Sequence, residues 1–356
     1  MFKSIELFFR RCLLLLLRGK NRSQSPKPIL NNLPENTKIL FLRHDKIGDV
    51  LITIPTIRIL RHHFPNAQLD ILLGTKNQAV ASSVLNYCRQ TLVYTKKPIE
   101  IFILLKRIRA ERYDIIIDCI DNPSTTSRMI IRFSKVKYSV GLENTTSGIY
   151  THSVALPDKA TTHIVERTAT LLHAFGIYPK PSDLDLEYII PKQYRELAEI
   201  ALGKKDKIRL GINIAAGWEK YWGRENFISL LHKLQSDELQ IIGFATSEFQ
   251  GELNAISTVT SLRNAPLSSN FDEFATMLSS CDVIFTPDTS VVHLSAAWKI
   301  PCLVLYSNIV ENHMLWTPYR SPHRVVTTSQ PMLSTILHQS VLTEIKELLA
   351  QLPKKV

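Results

Sequence analysis

Three stretches carry residue types and spacings suited to chemistry. In Arg43-His-Asp-Lys-Ile-Gly-Asp-Val-Leu-Ile-Thr-Ile-Pro55, Gly48 eases a turn and Asp49 presents a carboxylate, a group that can take a proton. In Gly211-Ile-Asn-Ile-Ala-Ala-Gly-Trp-Glu-Lys220, the small residues Ala215, Ala216 and Gly217 let a phosphate approach backbone N–H groups. Lys220 adds a mobile positive charge that such an anion can meet. In Asp288-Thr-Ser-Val-Val-His293, N–H groups at a helix start stand beside the Thr289 and Ser290 hydroxyls, an arrangement that receives anions. His293 and Ala297 follow at i and i+4.

Each stretch also has a plainer reading. Asp is a favoured helix N-cap, so Asp49 and Asp288 can serve only to start helices. Lys220 can be an exposed loop lysine, and His293 can face a core. Pro55 bears on the first case, because a regular helix from Asp49 would hold proline in its interior. That places the helix start near Thr53, a good cap, with Pro55 in the first turn. Lys46, Gly48 and Asp49 then stay in the loop.

Positioning these groups needs strands that end beside them. Lys38–Leu42 is an apolar run long enough for one buried parallel strand, and Val50, Ile54, Ile57 and Leu60 behind the loop fall at helical spacing. Further strands are predicted at Gln68–Leu73, Gln90–Tyr94, Tyr113–Ile117 and Val136–Gly141, with helices over Ile99–Glu111, Ser124–Phe133 and Thr161–Gly176. A second alternation has strands at Ile208–Ile214, Leu239–Phe244, Val283–Phe285 and Cys302–Tyr306. Its helices fall at 225–236, 271–281, 289–299 and 340–351. Alternation at this spacing predicts an α/β chain with parallel sheets, whose ligands bind outside the carboxyl ends of the strands.

The chain has 356 residues, which favours two domains. The expected division is a helix over 1–20, a linker at 21–37, a first domain at 38–176, an interdomain linker at 177–191, a second domain at 192–340 and a closing helix at 341–356. Five scattered cysteines without a C-x-x-C pair point to a reducing compartment and away from a disulfide frame or zinc site. Net charge is +11, and residues 1–36 hold seven Lys or Arg against Glu6 and Glu35, so +5 of it. No nucleic-acid module accompanies the charge, which excludes nucleic acid as the expected partner. The apolar stretch Cys12–Leu17 is far shorter than the ~20 residues of a membrane span. With basic neighbours it predicts an interfacial helix on an anionic membrane surface, the alternative being a helix packed on its own domain.

Dinucleotide G-x-G-x-x-G, Walker and G-x-S-x-G motifs are missing. No Asp-x-Asp pair offers to hold a metal on an anion, so no metal and no cofactor are expected; Lys220 and helix dipoles would stand in for the metal's charge.

The stretch from Arg43 to Pro55 resembles the amino-terminal signature of glycosyltransferase family 9, the lipopolysaccharide heptosyltransferases. Lys220 and Trp222 match that family's second signature, although Gly223 stands where Pro is usual and the small-residue loop departs from the common His-Pro-Gly form. Asp288-Thr-Ser-Val-Val-His-Leu-Ser-Ala-Ala297 is similar to its third, with Ser290 in place of Gly. The resemblance covers roughly residues 38 to 320. It implies a GT-B fold, two Rossmann-like domains facing each other across a cleft, with Asp49 as catalytic base. Lys220, Ala216, Gly217, Asp288, Thr289, Ser290 and His293 would hold the donor, and Lys46, Gly48 and Thr53 would shape the acceptor side. The implied reaction is inverting transfer of a sugar from a nucleotide donor, ADP-heptose, to the lipopolysaccharide core. Its place would be cytoplasmic, at the inner face of the bacterial inner membrane. The competing readings are a GT-B pair that has lost turnover and serves as a membrane-attached scaffold, and a family member using a different nucleotide sugar.

Overall fold

The computed structural model describes Ile29 and residues 33–122, 124–143, 147–214, 217–307 and 313–352. The expected membrane-associating helix over 1–20 lies outside these, as does most of the 21–37 linker. The chain divides into two compact units between Leu184 and Asp185.

In the first unit, strands β1 (Lys38–Leu42), β2 (Gln68–Gly74), β3 (Gln90–Tyr94), β4 (Ile115–Asp118), β5 (Tyr138–Leu142) and β6 (His152–Val154) form one parallel sheet. Its order is β3-β2-β1-β4-β5-β6. Strand β1 is central, with Ile39 to Leu42 fully buried, as an apolar run covered on both faces requires.

The second unit repeats the plan with β7 (Ile208–Asn213), β8 (Leu239–Phe244), β9 (Arg263–Asn264), β10 (Val283–Pro287), β11 (Cys302–Ser307) and β12 (His323–Thr328), all pairing parallel. The order is β12-β11-β10-β7-β8-β9. Read from its own first strand, this is the same doubly wound 3-2-1-4-5-6 order as the first unit. In each sheet the order therefore reverses once, between β1 and β4 and between β7 and β10, where such sheets bind ligands. Trp222, Phe227, Phe285 and Leu303 are among the buried residues of the second core.

The helix behind β1 runs Ile47–His63, six residues longer at its start than expected. Pro55 lies in its interior. Gly48 and Asp49 are in the first helical turn, not in the loop, and the Asp49 carboxylate accepts from the Lys46 N–H at 3.1 Å. The helix tolerates the proline, which costs about 3 kcal/mol in an exposed helix, because Val50 to Ile57 are all buried against the unit. The start is also pinned: Arg43 Nε donates to the Asp49 carbonyl at 2.7 Å, and Thr53 Oγ1 donates to the same oxygen at 2.7 Å. Thr53 is therefore a buried helix residue and not the cap.

Two other expectations shift. The Thr161–Gly176 helix is an α-helix only over Ile164–Ala169 and then tightens to 3-10 geometry as far as Phe175, with Gly176 left-handed behind it. The 289–299 helix is shorter, Val291–Ala297. Among the described residues, no helix is long and apolar enough to cross a membrane.

Candidate active site

In the first unit, the loop between β1 and its helix is built around Arg43, which is 2% exposed. Besides holding the Asp49 carbonyl, its guanidinium donates to the Cys119 carbonyl and sits 3.2 Å from Asp45 Oδ2. Asn77 braces the loop from below, donating to the Arg43 carbonyl at 2.9 Å while accepting from the Gly74 N–H at 2.7 Å. A Cβ on Gly74 would lie 2.7 Å from the His44 carbonyl oxygen, so only glycine lets β2 pass this close.

The electrostatics follow from burial. Partial burial pushes the Asp49 carboxyl up to about 6; Arg43 pulls it back down and Asp45 adds to the rise. Such a carboxylate is still ionised at neutral pH but holds a proton better than an ordinary one, which suits a general base. Burial pushes His44, in the same loop, down to about 4, so its ring is neutral beside Asp45. That ring meets Tyr94 edge-on at 5.4 Å.

At the end of β4, beside β1, Asp118 is fully buried and pushed up to about 6 by desolvation. It accepts from Tyr150 Oη at 2.8 Å, Ser127 Oγ at 3.0 Å and the Ile120 N–H at 3.2 Å. A Cβ at Gly141 would fall 2.2 Å from the Tyr150 ring, so that glycine makes room for the Tyr150–Asp118 contact. Asp118 was not singled out in the sequence. The signal was present: an acid ending the wholly apolar strand Ile-Ile-Ile-Asp at the sheet's carboxyl edge.

In the second unit, the loop after β7 turns at Gly217, whose φ of 90° favours glycine, and the Lys220 N–H closes a turn on the Gly217 carbonyl at 3.1 Å. The turn is anchored behind by Trp222, fully buried, with Nε1 donating to the Ile336 carbonyl at 2.9 Å. Tyr221 and Arg224 both reach Glu252, at 2.6 Å and 2.7 Å. Lys220 is thereby held beside the end of β10, where Nζ meets Asp288 Oδ2 at 2.5 Å and the Asp288 carbonyl at 2.8 Å. Lys220 is not a bare cation; its charge is matched by Asp288. Ala216 lies outside the described residues.

Gly223, in the proline position of the resembled signature, has a φ of 103° that proline cannot adopt. The chain takes its own path into the helix Arg224–Lys233. Ser290, by contrast, sits at φ −59° and pays nothing for lacking glycine's freedom. Thr289 Oγ1 accepts from the Val291 N–H at 3.2 Å and lies 3.1 Å from Thr286 Oγ1 and 3.3 Å from Asn213 Nδ2. Asn213, at the end of β7, was also missed by the sequence reading. His293 is buried, its ring 6.1 Å from that of Trp316. Each unit thus gathers its candidate groups at its own switch point. Among the described residues, no three His, Cys, Asp or Glu side chains group as metal ligands.

The model of glycosyltransferase family 9 (heptosyltransferase) matches residues 101–344, more than half of the chain. The chain belongs to glycosyltransferase family 9. It is therefore a glycosyltransferase by family. This family 9 chain is 24% identical over 288 residues to lipopolysaccharide heptosyltransferase 3 of Escherichia coli strain K12, covering 76% of this chain and 82% of the relative. It is 20% identical over 313 residues to the lipopolysaccharide core heptosyltransferase OpsX of Haemophilus influenzae, covering 84% and 86%. Among solved structures, a family 9 glycosyltransferase from Veillonella parvula superposes with a TM-score of 0.75 at 18% identity, covering 90% of this chain and 100% of that one. E. coli ADP-heptose heptosyltransferase II gives 0.71 at 20% identity, covering 88% and 99%. These likenesses establish the fold as GT-B.

Proposed function

We propose that this family 9 enzyme transfers heptose from ADP-heptose to a lipopolysaccharide core acceptor, with inversion at the anomeric carbon and without a metal. The observation that carries the reading is Asp49, held in the first helical turn behind β1 with its carboxyl raised to about 6. The donor reading is supported by similarity to E. coli WaaC, solved with ADP and with ADP-2-deoxy-2-fluoro heptose. The acceptor reading is supported by the lipopolysaccharide heptosyltransferases among the relatives.

Asp49 takes the proton of the acceptor hydroxyl as that oxygen attacks the anomeric carbon. The carbon–oxygen bond to the diphosphate breaks, and its electron pair leaves with ADP. Attack opposite the leaving group inverts the carbon. Lys220, the Thr289 and Ser290 hydroxyls and the small-residue loop at Ala216 and Gly217 meet the charge that develops on the diphosphate. Asp288 holds Lys220 in place until the more highly charged diphosphate takes its ammonium. The His293 N–H donates to the Ser290 carbonyl at 3.1 Å and so closes the Thr289–Ser290 turn, and Lys46, Gly48 and Thr53 shape the helix start that presents Asp49. Residues 1–20 attach the enzyme to an anionic membrane at the cytoplasmic face.

The experiment is to incubate purified enzyme with ADP-heptose and a core acceptor lacking the added sugar, then determine the product's mass and anomeric configuration. One heptose in the inverted configuration is expected. Transfer from other nucleotide sugars but not from ADP-heptose would overturn the donor reading, and no transfer from any would leave the scaffold reading.

A further inference from the structure

We infer that the helix Pro98–Glu111 of the first unit is a second membrane-docking element, one that rests its solvent face on an anionic phospholipid surface. Its sequence, Pro-Ile-Glu-Ile-Phe-Ile-Leu-Leu-Lys-Arg-Ile-Arg-Ala-Glu, has two apolar faces. One is the expected inner face, with Leu104 and Ile108 buried in the first core. The other points outward: Ile99 is 76% exposed, Phe102 59% and Ile103 59%. Their spacing of i, i+3 and i+4 places them in one stripe roughly 100° wide. A helix covered only by water has no use for such a stripe, since scattered single apolar residues are ordinary but a contiguous set marks a contact surface.

Charge selects the occupant. Residues 96–112 hold six Lys or Arg (96, 97, 106, 107, 109 and 112) against Glu100 and Glu111. Both acids are already engaged, Glu100 with Lys97 at 2.8 Å and Glu111 with Arg89 at 3.1 Å. On the helix, Arg107 and Arg109 flank the stripe on either side, and Lys106 lies at its carboxyl end with Nζ 4.5 Å over the Phe102 ring. The helix Thr125–Ser134 packs beside this one, and its carboxyl end carries exposed Arg132 and Lys135, with exposed Lys137 before β5, so the unit's exposed charge on this side is basic as well. Aromatic and aliphatic side chains with cations beside and behind them suit an interface where acyl chains meet anionic headgroups. An ordinary protein partner would not call for so one-sided a charge.

The placement gives the contact a purpose. The helix begins just behind the carboxyl end of β3, after Lys96 turns through a left-handed φ of 64°. Tyr94 at that strand end is the residue whose ring meets His44 in the loop that leads into the Asp49 helix. The stripe thus starts at the sheet edge that carries Asp49, so docking would present that edge to a membrane-held molecule. This contact is separate from residues 1–20 and uses none of them.

The test uses the full chain and vesicles of phosphatidylglycerol with phosphatidylcholine, compared with phosphatidylcholine alone. All four tryptophans (218, 222, 298 and 316) belong to the second unit, so Ile103→Trp adds a reporter to the first. Its added fluorescence should shift to the blue and be quenched by brominated lipid on anionic vesicles only. Phe102→Asp combined with Ile103→Asp should lower partition onto anionic vesicles about tenfold or more, because each buried apolar side chain contributes on that order. Lys106→Glu with Arg109→Glu should give a comparable loss that salt mimics, and it guards against misfolding of the first variant, whose circular dichroism and melting should match wild type. An unquenched, water-like tryptophan at 103 while the protein floats with vesicles would overturn the proposal. So would a dimer in sedimentation that Phe102→Asp dissociates without any change in vesicle binding, since the stripe would then belong to a second copy. The vesicles carry no sugar acceptor, so failure of heptose transfer leaves this test unaffected.

Discussion

Between β1 and β4 the first unit gathers carboxylates: Asp49 on the helix, Asp45 in the loop and Asp118 at the strand end, with Arg43 buried among them. Between β7 and β10 the second unit gathers hydroxyls, an amide and one half-buried ion pair: Thr286, Thr289, Asn213 and Lys220–Asp288. The two sheets share one strand order, so topology alone sets where ligands meet the chain and not what is done to them. Burial makes the difference. In the first unit it raises two acids to about 6, Asp49 part-exposed and Asp118 fully buried. In the second, Lys220 and Asp288 stay 34% and 37% exposed, where an ion pair contributes little and can be exchanged for a better anion.

Removing the exchangeable cation should break the second unit's half of this contrast. Lys220→Ala should slow transfer on the order of a hundred- to a thousandfold, the loss of one charge-assisted contact worth about 3 kcal/mol, and weaken donor binding. Lys220→Arg keeps the charge without the compact geometry and should lose less. EDTA should alter neither variant nor wild type. Steady-state kinetics with and without chelator reads all of these. Equal losses for Ala and Arg, or recovery of turnover only with Mg²⁺, would mean that Lys220 does not meet the diphosphate.

A smaller effect sharpens the first unit's half. The folded protein holds the Asp49 proton more tightly than the unfolded chain does, so ionising Asp49 costs stability as pH rises from the ordinary carboxylate range through about 6. Asp49→Asn removes that cost. Its melting temperature should gain on wild type between about pH 5 and about pH 8, by a few degrees at most for a partly exposed group. Calorimetry at the two pH values reads the difference. A constant offset would show that burial does not set the Asp49 carboxyl.

Much of this plan was legible in the sequence. Buried parallel strands read as apolar runs, and β1, β3 and β8 begin and end where those runs do. Strands β6, β9 and β12 escaped notice because they are short or polar: His152–Val154, Arg263–Asn264 and the half-exposed His-Arg-Val-Val-Thr-Thr of β12. Their strand state comes from pairing with a neighbour already in place, not from local preference. The start of the Ile47–His63 helix was misjudged because Pro55 is a local signal, whereas the Arg43 and Thr53 hydrogen bonds that fix the first turn are invisible to spacing. The Lys220–Asp288 pair was hidden for the same reason. Both residues were singled out, but a contact across 68 positions depends on the sheet that joins their strands.

The central claim is that Asp49 acts as the base, and single-turnover transfer by Asp49→Asn, measured beside donor affinity, tests it most directly. An amide keeps the volume and can hold the turn, but it cannot accept the proton. The rate should fall about 100- to 10,000-fold, with donor affinity little changed. Wild-type kcat/KM should fall as pH drops through about 6, where the carboxylate protonates. A variant that keeps most of its activity would contradict this account, leaving Asp49 only as the acceptor of the Lys46 N–H at the start of its helix.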